Sequence, residues 1–341
     1  MSTLNGTSAG TNLNTMKWLI KREFWEHKGG FFWAPIVVAI IMFFFMFVAQ
    51  VGALSFDSKV TVTENGKTVQ ILGKSFTPYL QERLLRLNEN EKEKFGSMAI
   101  LAEAAPLLWL LALTTFFACL NSLYDERKDR SVLFWKSLPV SDGATVVSKT
   151  ALALVIAPLI TLGIVSTLAA MSALLICIGL ITQGIDFATA FRLTLGNLGL
   201  YSAPLKMAAL IPLYALWALP TVGWLLFVSA FANTKPILWA LGTPLLAAAI
   251  AFWANNSLEL GWNLEWLGKN ILIRLLGSII PGHWISYLPP NDVIGSIRSD
   301  PNAIFAYSWG IFGTTDLWAG VLVGVGMIYA AIRVRRWKNE G

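Results

Sequence analysis

The sequence predicts an all-α polytopic membrane protein. Hydrophobic residues make up 55% of the 341-residue chain and charged residues only 13%, well below the roughly 25% charged residues of soluble domains. Six runs with almost no charge are each long enough to cross a hydrocarbon core of about 30 Å at about 1.5 Å per residue. The predicted fold has six transmembrane helices, an N-terminal interfacial helix, a re-entrant helical segment before the last span, and a small outer insert formed by a β-hairpin and a helix.

The predicted spans follow one another with two long outer segments between them. A leader and interfacial helix occupy residues 1–30, and a tail occupies 333–341. The spans are residues 31–52, 98–123, 151–180, 207–231, 236–256 and 317–332, and the long connections are an outer insert (53–97), an inner loop (124–150) and an outer segment (257–316).

The first thirty residues divide into a polar leader and a basic, aromatic segment. Residues 1–14 are rich in Ser, Thr, Asn and Gly and are predicted to be disordered. In the segment that follows, Trp18 and Trp25 stand among cations such as Arg22, which is typical of a helix lying among lipid headgroups. The alternative is a simple flank that stops translocation.

Local patterns refine the remaining segments. Within the outer insert, apolar and polar residues alternate on both sides of Asn65-Gly66, which predicts a β-hairpin. The apolar stretch 271–280 contains Arg274 and is too short to cross, so it predicts a re-entrant or interfacial helix. Pro212 and Pro220 predict kinks in the fourth span. Glu103, the one acid inside a predicted span, is expected to be solvated near the outer end or to face a cavity.

The ionisable and sulfur-containing residues exclude several classes of function. Cys119 and Cys177 lie in apolar runs, and His27 and His283 lie far from either cysteine, so neither a disulfide framework nor a metal site is predicted. No protease, hydrolase or complete phosphate-loop motif occurs, so neither catalysis nor a cofactor on this chain is predicted. The net charge of +6 arises from basic residues that flank apolar runs, which indicates membrane orientation rather than nucleic-acid binding.

Basic residues also predict the orientation. With six spans, both termini and loop 124–150 share one side, and that side holds 14 of the 26 Lys and Arg residues in far fewer positions than the other side. The positive-inside rule therefore predicts that the termini and this loop are cytoplasmic.

Loop 124–150 is the most charged part of the predicted cytoplasmic side. Charged residues dominate its beginning, and an apolar stripe of Val132, Leu133, Phe134, Trp135 and Leu138 follows them. Such an amphipathic segment can either lie on a membrane or dock on a partner.

Part of this loop, YDERKDRSVLFWKSLPVS, resembles the loop after the second span in permeases of the type-two ABC exporter family. There, a charged stretch leads into a short helix that ends in Leu-Pro-Val-Ser. The matching positions are Glu126, Arg127, Asp129, Arg130, Ser131, Leu133, Phe134, Leu138, Pro139, Val140 and Ser141. Arg130 and Ser131 stand where the family has Gly-Thr. The order of an amphipathic N-terminal helix, six spans, a large first outer loop and a re-entrant pair is also similar.

The resemblance implies a transport subunit in a bacterial cytoplasmic (inner) membrane. Such a permease pairs with a second copy of itself or with another permease, contacts membrane lipids, and binds two copies of a separate ABC ATP-binding subunit that holds ATP and Mg²⁺. The loop would be a coupling helix. Its expected contacts with the ATPase are apolar at Phe134, Trp135, Leu138 and Pro139 and charged at Glu126, Arg127 and Arg130.

Three questions stay open at the level of sequence. Phe134 and Trp135 could instead anchor the loop in the headgroups. The cargo could be lipid-like, amphipathic, a peptide or a drug. The alternative function is a non-transporting membrane sensor or scaffold whose outer insert binds a ligand.

Overall fold

The computed structural model describes residues 5–55, 59–64, 67–72, 88–130, 140–287 and 300–338. Its helices are α1 (Asn5–Glu26), α2 (Ala34–Ser55), α3 (Glu89–Lys128), α4 (Asp142–Ala151), α5 (Ala157–Thr182), α6 (Phe187–Leu193), α7 (Gly199–Ala209), α8 (Ile211–Phe231), α9 (Pro236–Leu258), α10 (Leu264–Leu267), α11 (Arg274–Gly277), α12 (Pro301–Gly310) and α13 (Thr315–Lys338). π-Helical turns at Gly29–Trp33, Leu152–Ile156 and Gly268–Ile273 lead into α2, α5 and α11, and 3₁₀ turns occupy His283–Tyr287 and Ile311–Gly313.

Six helical stretches among the described residues are long and apolar enough to cross a membrane. They are Gly29–Gly52, Glu89–Lys128, Asp142–Thr182, Ile211–Phe231, Pro236–Leu258 and Thr315–Lys338. The predicted all-α class of multi-pass membrane protein is confirmed at this level. Two strands, β1 (Lys59–Glu64) and β2 (Lys67–Leu72), pair antiparallel in the connection between the first two stretches, with Val60 opposite Ile71.

Helix α3 extends beyond its predicted span because polar residues cap its start. α3 begins at Glu89, where the Asn88 side chain accepts a hydrogen bond from Glu91 N (2.9 Å) and Glu91 Oε2 accepts one from Asn88 N (3.0 Å). This reciprocal capping box satisfies two backbone donors at the helix start. α1 begins at Asn5, so the prediction of disorder through residue 14 is wrong for the described part of the leader.

The connection between the third and fourth predicted spans was assigned no helices from the sequence. It contains α6 and α7, and α6 is capped by Asp186, whose Oδ2 accepts from Thr189 N at 3.2 Å. Pro212 lies in the first turn of α8, where the missing N–H needs no partner, and so it begins a helix rather than kinking one. Pro220 is inside α8 and is buried.

Helix α8 forms the centre of the bundle. Leu213, Trp217 and Leu225 are fully buried on it, and it packs chiefly against α13 and α3. The crossing with α13 depends on glycine, because a Cβ at Gly324 would lie 2.7 Å from the carbonyl carbon of Leu219. Close approach of this kind is how transmembrane helices associate, since lipid supplies no hydrophobic driving force between them.

Candidate functional site: a buried charge cluster

Glu126 of α3 lies at the centre of a buried charge cluster. The cluster comprises Arg22 and Glu23 of α1, Glu126 of α3, Asp142 and Lys149 of α4, and Arg335 of α13. Glu126 Oε1 lies 3.0 Å from Arg22 Nη2 and 2.9 Å from Lys149 Nζ. Its Oε2 lies 2.6 Å from Arg335 Nη1. One carboxylate therefore joins four helices.

The other two carboxylates extend the charge cluster on either side of Glu126. Lys149 Nζ donates to Glu23 Oε2 at 2.7 Å, and Arg335 Nε donates to Asp142 Oδ1 at 2.9 Å. Glu23 is fully buried, whereas the Asp142 side chain is 24% exposed. Three cations thus face three carboxylates, and the cluster reaches the surface mainly at Asp142.

Helix geometry explains how α4 contributes two of these residues. The helix starts at Asp142 because the Ser141 hydroxyl accepts a hydrogen bond from Ala144 N at 3.1 Å. Asp142 and Lys149 are two turns apart and so lie on the same face. Val146, between them on that face, is fully buried.

The charge cluster joins helices α1, α3, α4 and α13 through ion pairs. Removing a carboxylate from water costs several kcal/mol unless charged hydrogen bonds compensate it, and breaking a buried pair by deleting one partner typically costs about 3–5 kcal/mol. Because Glu126 contacts three cations on three other helices, moving any one of those helices disrupts a pair. Such an arrangement favours discrete packings of whole helices over gradual deformation.

Two further groups beside the charge cluster have perturbed acidities. Burial raises the pKa of Glu26 above its usual value, although Lys149 acts in the opposite direction. Burial lowers the pKa of His27, and the positive charge of Lys149 lowers it further. A neutral His27 is therefore favoured next to the cluster.

The three charged residues predicted to meet an ATPase lie in different environments. Glu126 is 3% exposed and contacts its own chain, so its expected role at a partner surface is corrected to an internal one. Arg127 Nη2 donates to the carbonyls of Ser229 (2.6 Å) and Ala232 (2.8 Å) at the end of α8, where a cation complements unpaired carbonyls. Arg130 is exposed, with a left-handed backbone (φ 56°) just after α3.

The predicted apolar contacts Phe134, Trp135, Leu138 and Pro139 lie outside the described residues, so their role stays a prediction. In the predicted interfacial helix, Trp18 and Trp25 are exposed, as lipid contact would require. Arg22 instead points into the charge cluster and pairs with Glu126. Its expected place among the headgroups is therefore corrected.

Sequence reasoning missed the cluster members Glu23, Asp142, Lys149 and Arg335. Lys149, near the end of loop 124–150, is 4% exposed, so its charge is buried rather than available at the surface. Among the described residues, no group of three or more His, Cys, Asp or Glu could hold a metal ion.

No family model, curated protein or solved structure matches this chain. The fold and the cluster define its class: an all-α, multi-pass membrane protein with a buried charge cluster at one end of its helix bundle.

Proposed function

We propose that this chain is the membrane-spanning permease subunit of an ATP-driven exporter, which works as a dimer and is driven by a separate ATP-binding subunit. The proposal starts from the resemblance of residues 124–141 to the coupling loop of type-two ABC exporters. One structural observation supports it most: the charge cluster encloses both ends of that loop. Glu126 precedes the loop's apolar stripe, and Asp142 follows it.

The cluster offers a route by which movement of the loop would reach the spans. α3 and α4, which flank the loop, are joined through Glu126 and Lys149 at 2.9 Å. The same residues hold α1, through Arg22 and Glu23, and Glu126 holds α13 through Arg335. A push from a partner during ATP binding would therefore move four helices as one body. The outer face would then open along the dimer interface.

Co-purification tests the proposal directly. The tagged chain, extracted from its native membrane, is expected to bring down a protein that carries a phosphate-loop motif by mass spectrometry and hydrolyses ATP. The double variant Trp135→Asp/Leu138→Asp is expected to lose this protein, because removing an aromatic anchor from an interface commonly costs about 2 kcal/mol or more, which is about thirtyfold in affinity.

Trp337→Asp is the matched control, since Trp337 is an exposed aromatic residue at the same end of the bundle. It should retain the ATPase. Circular dichroism and size-exclusion chromatography confirm that each variant is folded. If the double variant keeps the ATPase at the level of the control, the docking assignment is wrong. If no ATPase accompanies the unmodified chain, the sensor or scaffold function replaces the exporter.

A further inference from the structure

Glu103 is an acid inside the second membrane-spanning stretch, Glu89–Lys128. From the sequence, its carboxyl group was expected to contact solvent or a cavity. The structure instead buries Oε2, which has no hydrogen-bond partner among the described residues. An ionisable side chain inside a membrane span is costly and is commonly functional, so its neighbours and its protonation state decide what it can do.

The hydrogen bond that Glu103 forms is with Ser172 of α5. Glu103 Oε1 lies 2.9 Å from Ser172 Oγ, and the same Oγ lies 3.0 Å from the carbonyl oxygen of Ala169. A serine hydroxyl has one proton to donate and two lone pairs with which to accept. A carbonyl oxygen has no proton, so Ser172 must donate to Ala169 if both contacts are hydrogen bonds. The proton in the other contact must then come from Glu103.

Apolar side chains dominate the helices that pack around Glu103. The next residue, Ala104, is fully buried in a hydrophobic cluster with members from α2, α5 and α7. Helices α2, α5 and α8 contain no charged residue. Glu103 itself forms no ion pair with any described residue. An ionised carboxylate would therefore have no cation beside it in the described part of the chain.

The cations on the adjoining segments pair with other acids. Lys206 is the one charged residue of α7, and its Nζ lies 3.1 Å from Glu93 Oε1. On α3 itself, Lys94 precedes Glu103 by nine residues, and its Nζ lies 3.0 Å from Asp300 Oδ2. Neither cation is available to compensate a charge at Glu103.

These observations favour the carboxylic acid over the carboxylate. An ionised Glu103 would place negative charge on Oε2, which no donor reaches, and a buried charge of this kind is neutralised by taking up a proton. A proton on Oε2 would be a buried donor without an acceptor, which is also costly. A proton on Oε1 can be donated to Ser172 Oγ, whose own proton is donated to Ala169. Only this arrangement gives every donor an acceptor.

We propose that Glu103 is a proton-binding site inside the membrane-spanning part of the chain, with the proton held on Oε1 and donated to Ser172. Because this hydrogen bond joins α3 to α5, loss of the proton would leave an uncompensated charge between the two helices. The contact between α3 and α5 therefore depends on the proton. The site lies 23 residues along α3 from Glu126, is separate from the charge cluster, and does not rest on the proposed function.

Infrared difference spectroscopy on the purified protein in lipid nanodiscs tests the site. A protonated carboxylic acid has a carbonyl stretching band that a carboxylate lacks. Subtracting the spectrum of Glu103→Gln from that of the unmodified protein at about pH 7 is expected to leave one such band, which moves to lower frequency in protein prepared in D₂O. Glutamine has nearly the same size and can donate to Ser172 through its amide, so this variant is expected to fold.

Two further variants assign the band. Glu26→Gln is the matched control, because burial also raises the pKa of that carboxyl group, which lies outside the spans. The band of Glu103 should persist in this control. Ser172→Ala should keep the band, because the proton stays on Glu103, but should change its frequency, because the acceptor of the hydrogen bond is lost.

Either of two results overturns the proposal. One is the lack of a carbonyl band in the difference between the unmodified protein and folded Glu103→Gln, which means that Glu103 is ionised. The other is a band of unchanged frequency in Ser172→Ala, which means that the proton is not donated to Ser172. Should Glu103→Gln not fold, the difference between the unmodified protein and Ser172→Ala decides the point. A protonated Glu103 gives paired positive and negative carbonyl bands there, and an ionised Glu103 gives none.

Discussion

The two ends of the helix bundle each bury an arginine, in opposite ways. At one end Arg335 donates to two carboxylates, Glu126 and Asp142. At the other end Arg274 stacks on Trp217 with two donors unpaired among the described residues. A buried cation is costly unless a counter-charge compensates it. The ion pairs of Arg335 therefore compensate the cost of burying its charge, whereas two donors of Arg274 lack an acceptor among the described residues.

The surroundings of Arg274 strengthen this contrast. The Nδ1 of His283 lies 3.4 Å from Trp217 Nε1 and accepts its hydrogen bond. Burial lowers the pKa of His283, and the positive charge of Arg274 lowers it further. A neutral imidazole is thus favoured, and the guanidinium of Arg274 faces the rings of Trp217 and Tyr287.

Removing Lys149 is expected to have the largest effect at the paired end. Lys149→Met leaves both Glu23 and Glu126 without a cation that now lies within 2.9 Å, at a cost of about 3–5 kcal/mol. The measurement is the thermal unfolding midpoint of the purified protein. Lys128→Met is the control, since Lys128 is an exposed cation at the end of α3. Equal midpoints for the two variants would show that the buried pairs do not stabilise the fold.

A methyl group at the crossing between the two ends is expected to rank second. Gly324→Ala places a Cβ 2.7–2.8 Å from the backbone of Leu219, and overpacking of this kind costs about 1–3 kcal/mol. Gly326→Ala has nothing within 4 Å, so its midpoint should stay level or rise slightly, because Ala favours helix over Gly. A similar decrease of the unfolding midpoint in both variants would mean that the close contact between Gly324 and Leu219 is not what disfavours a side chain at position 324.

Replacing the unpaired arginine is expected to change stability little. Arg274→Met loses a contact with Trp217, about 0.5–2 kcal/mol, but also removes a buried charge, so the net change should stay within about 1 kcal/mol. Arg335→Met, which leaves Glu126 and Asp142 short of a partner, should cost about 3 kcal/mol. Equal decreases of the unfolding midpoint in the two variants would show that the paired and the unpaired arginine contribute equally to stability.

Acidification is expected to produce the smallest effect. Because the pKa of His27 is lowered in the folded protein, the unfolded chain binds a proton more readily as pH falls through the usual histidine range near 6.5. Stability should therefore decline between about pH 7.5 and 5.5. His27→Gln should reduce that decline by a fraction of a kcal/mol. The raised pKa of Glu26 is common to both proteins and cancels in the comparison.

The six apolar helices could be predicted from the sequence, because each is a long run with almost no charge. The ends of the helices were predicted less accurately. α3 continues outward to Glu89 through a capping box at Asn88 and Glu91, whereas a hydropathy argument ends a span where charge begins. α6 begins after the N-cap residue Asp186, but a helix of seven residues is too short to give a clear periodic pattern in the sequence.

The charge cluster could not be assembled from the sequence. Arg22 and Glu126 are 104 residues apart, and Arg335 is 209 residues beyond Glu126. Near the ends of apolar runs, a cation that orients the chain and a cation that pairs with a buried acid have the same local pattern. Which role each residue has depends on how the helices pack, and a single sequence contains no direct record of that.

The separation between Glu126 and Arg335 also concerns biosynthesis. At about 5–20 residues per second, a ribosome takes roughly 10–40 seconds to travel from one to the other. Lys149 emerges soon after Glu126 and can neutralise it early, whereas Arg335 arrives only when α13 is made. The ion-pair cluster of a nascent chain thus stays incomplete while the helices between Glu126 and Arg335 are inserted, and insertion of α13 completes it.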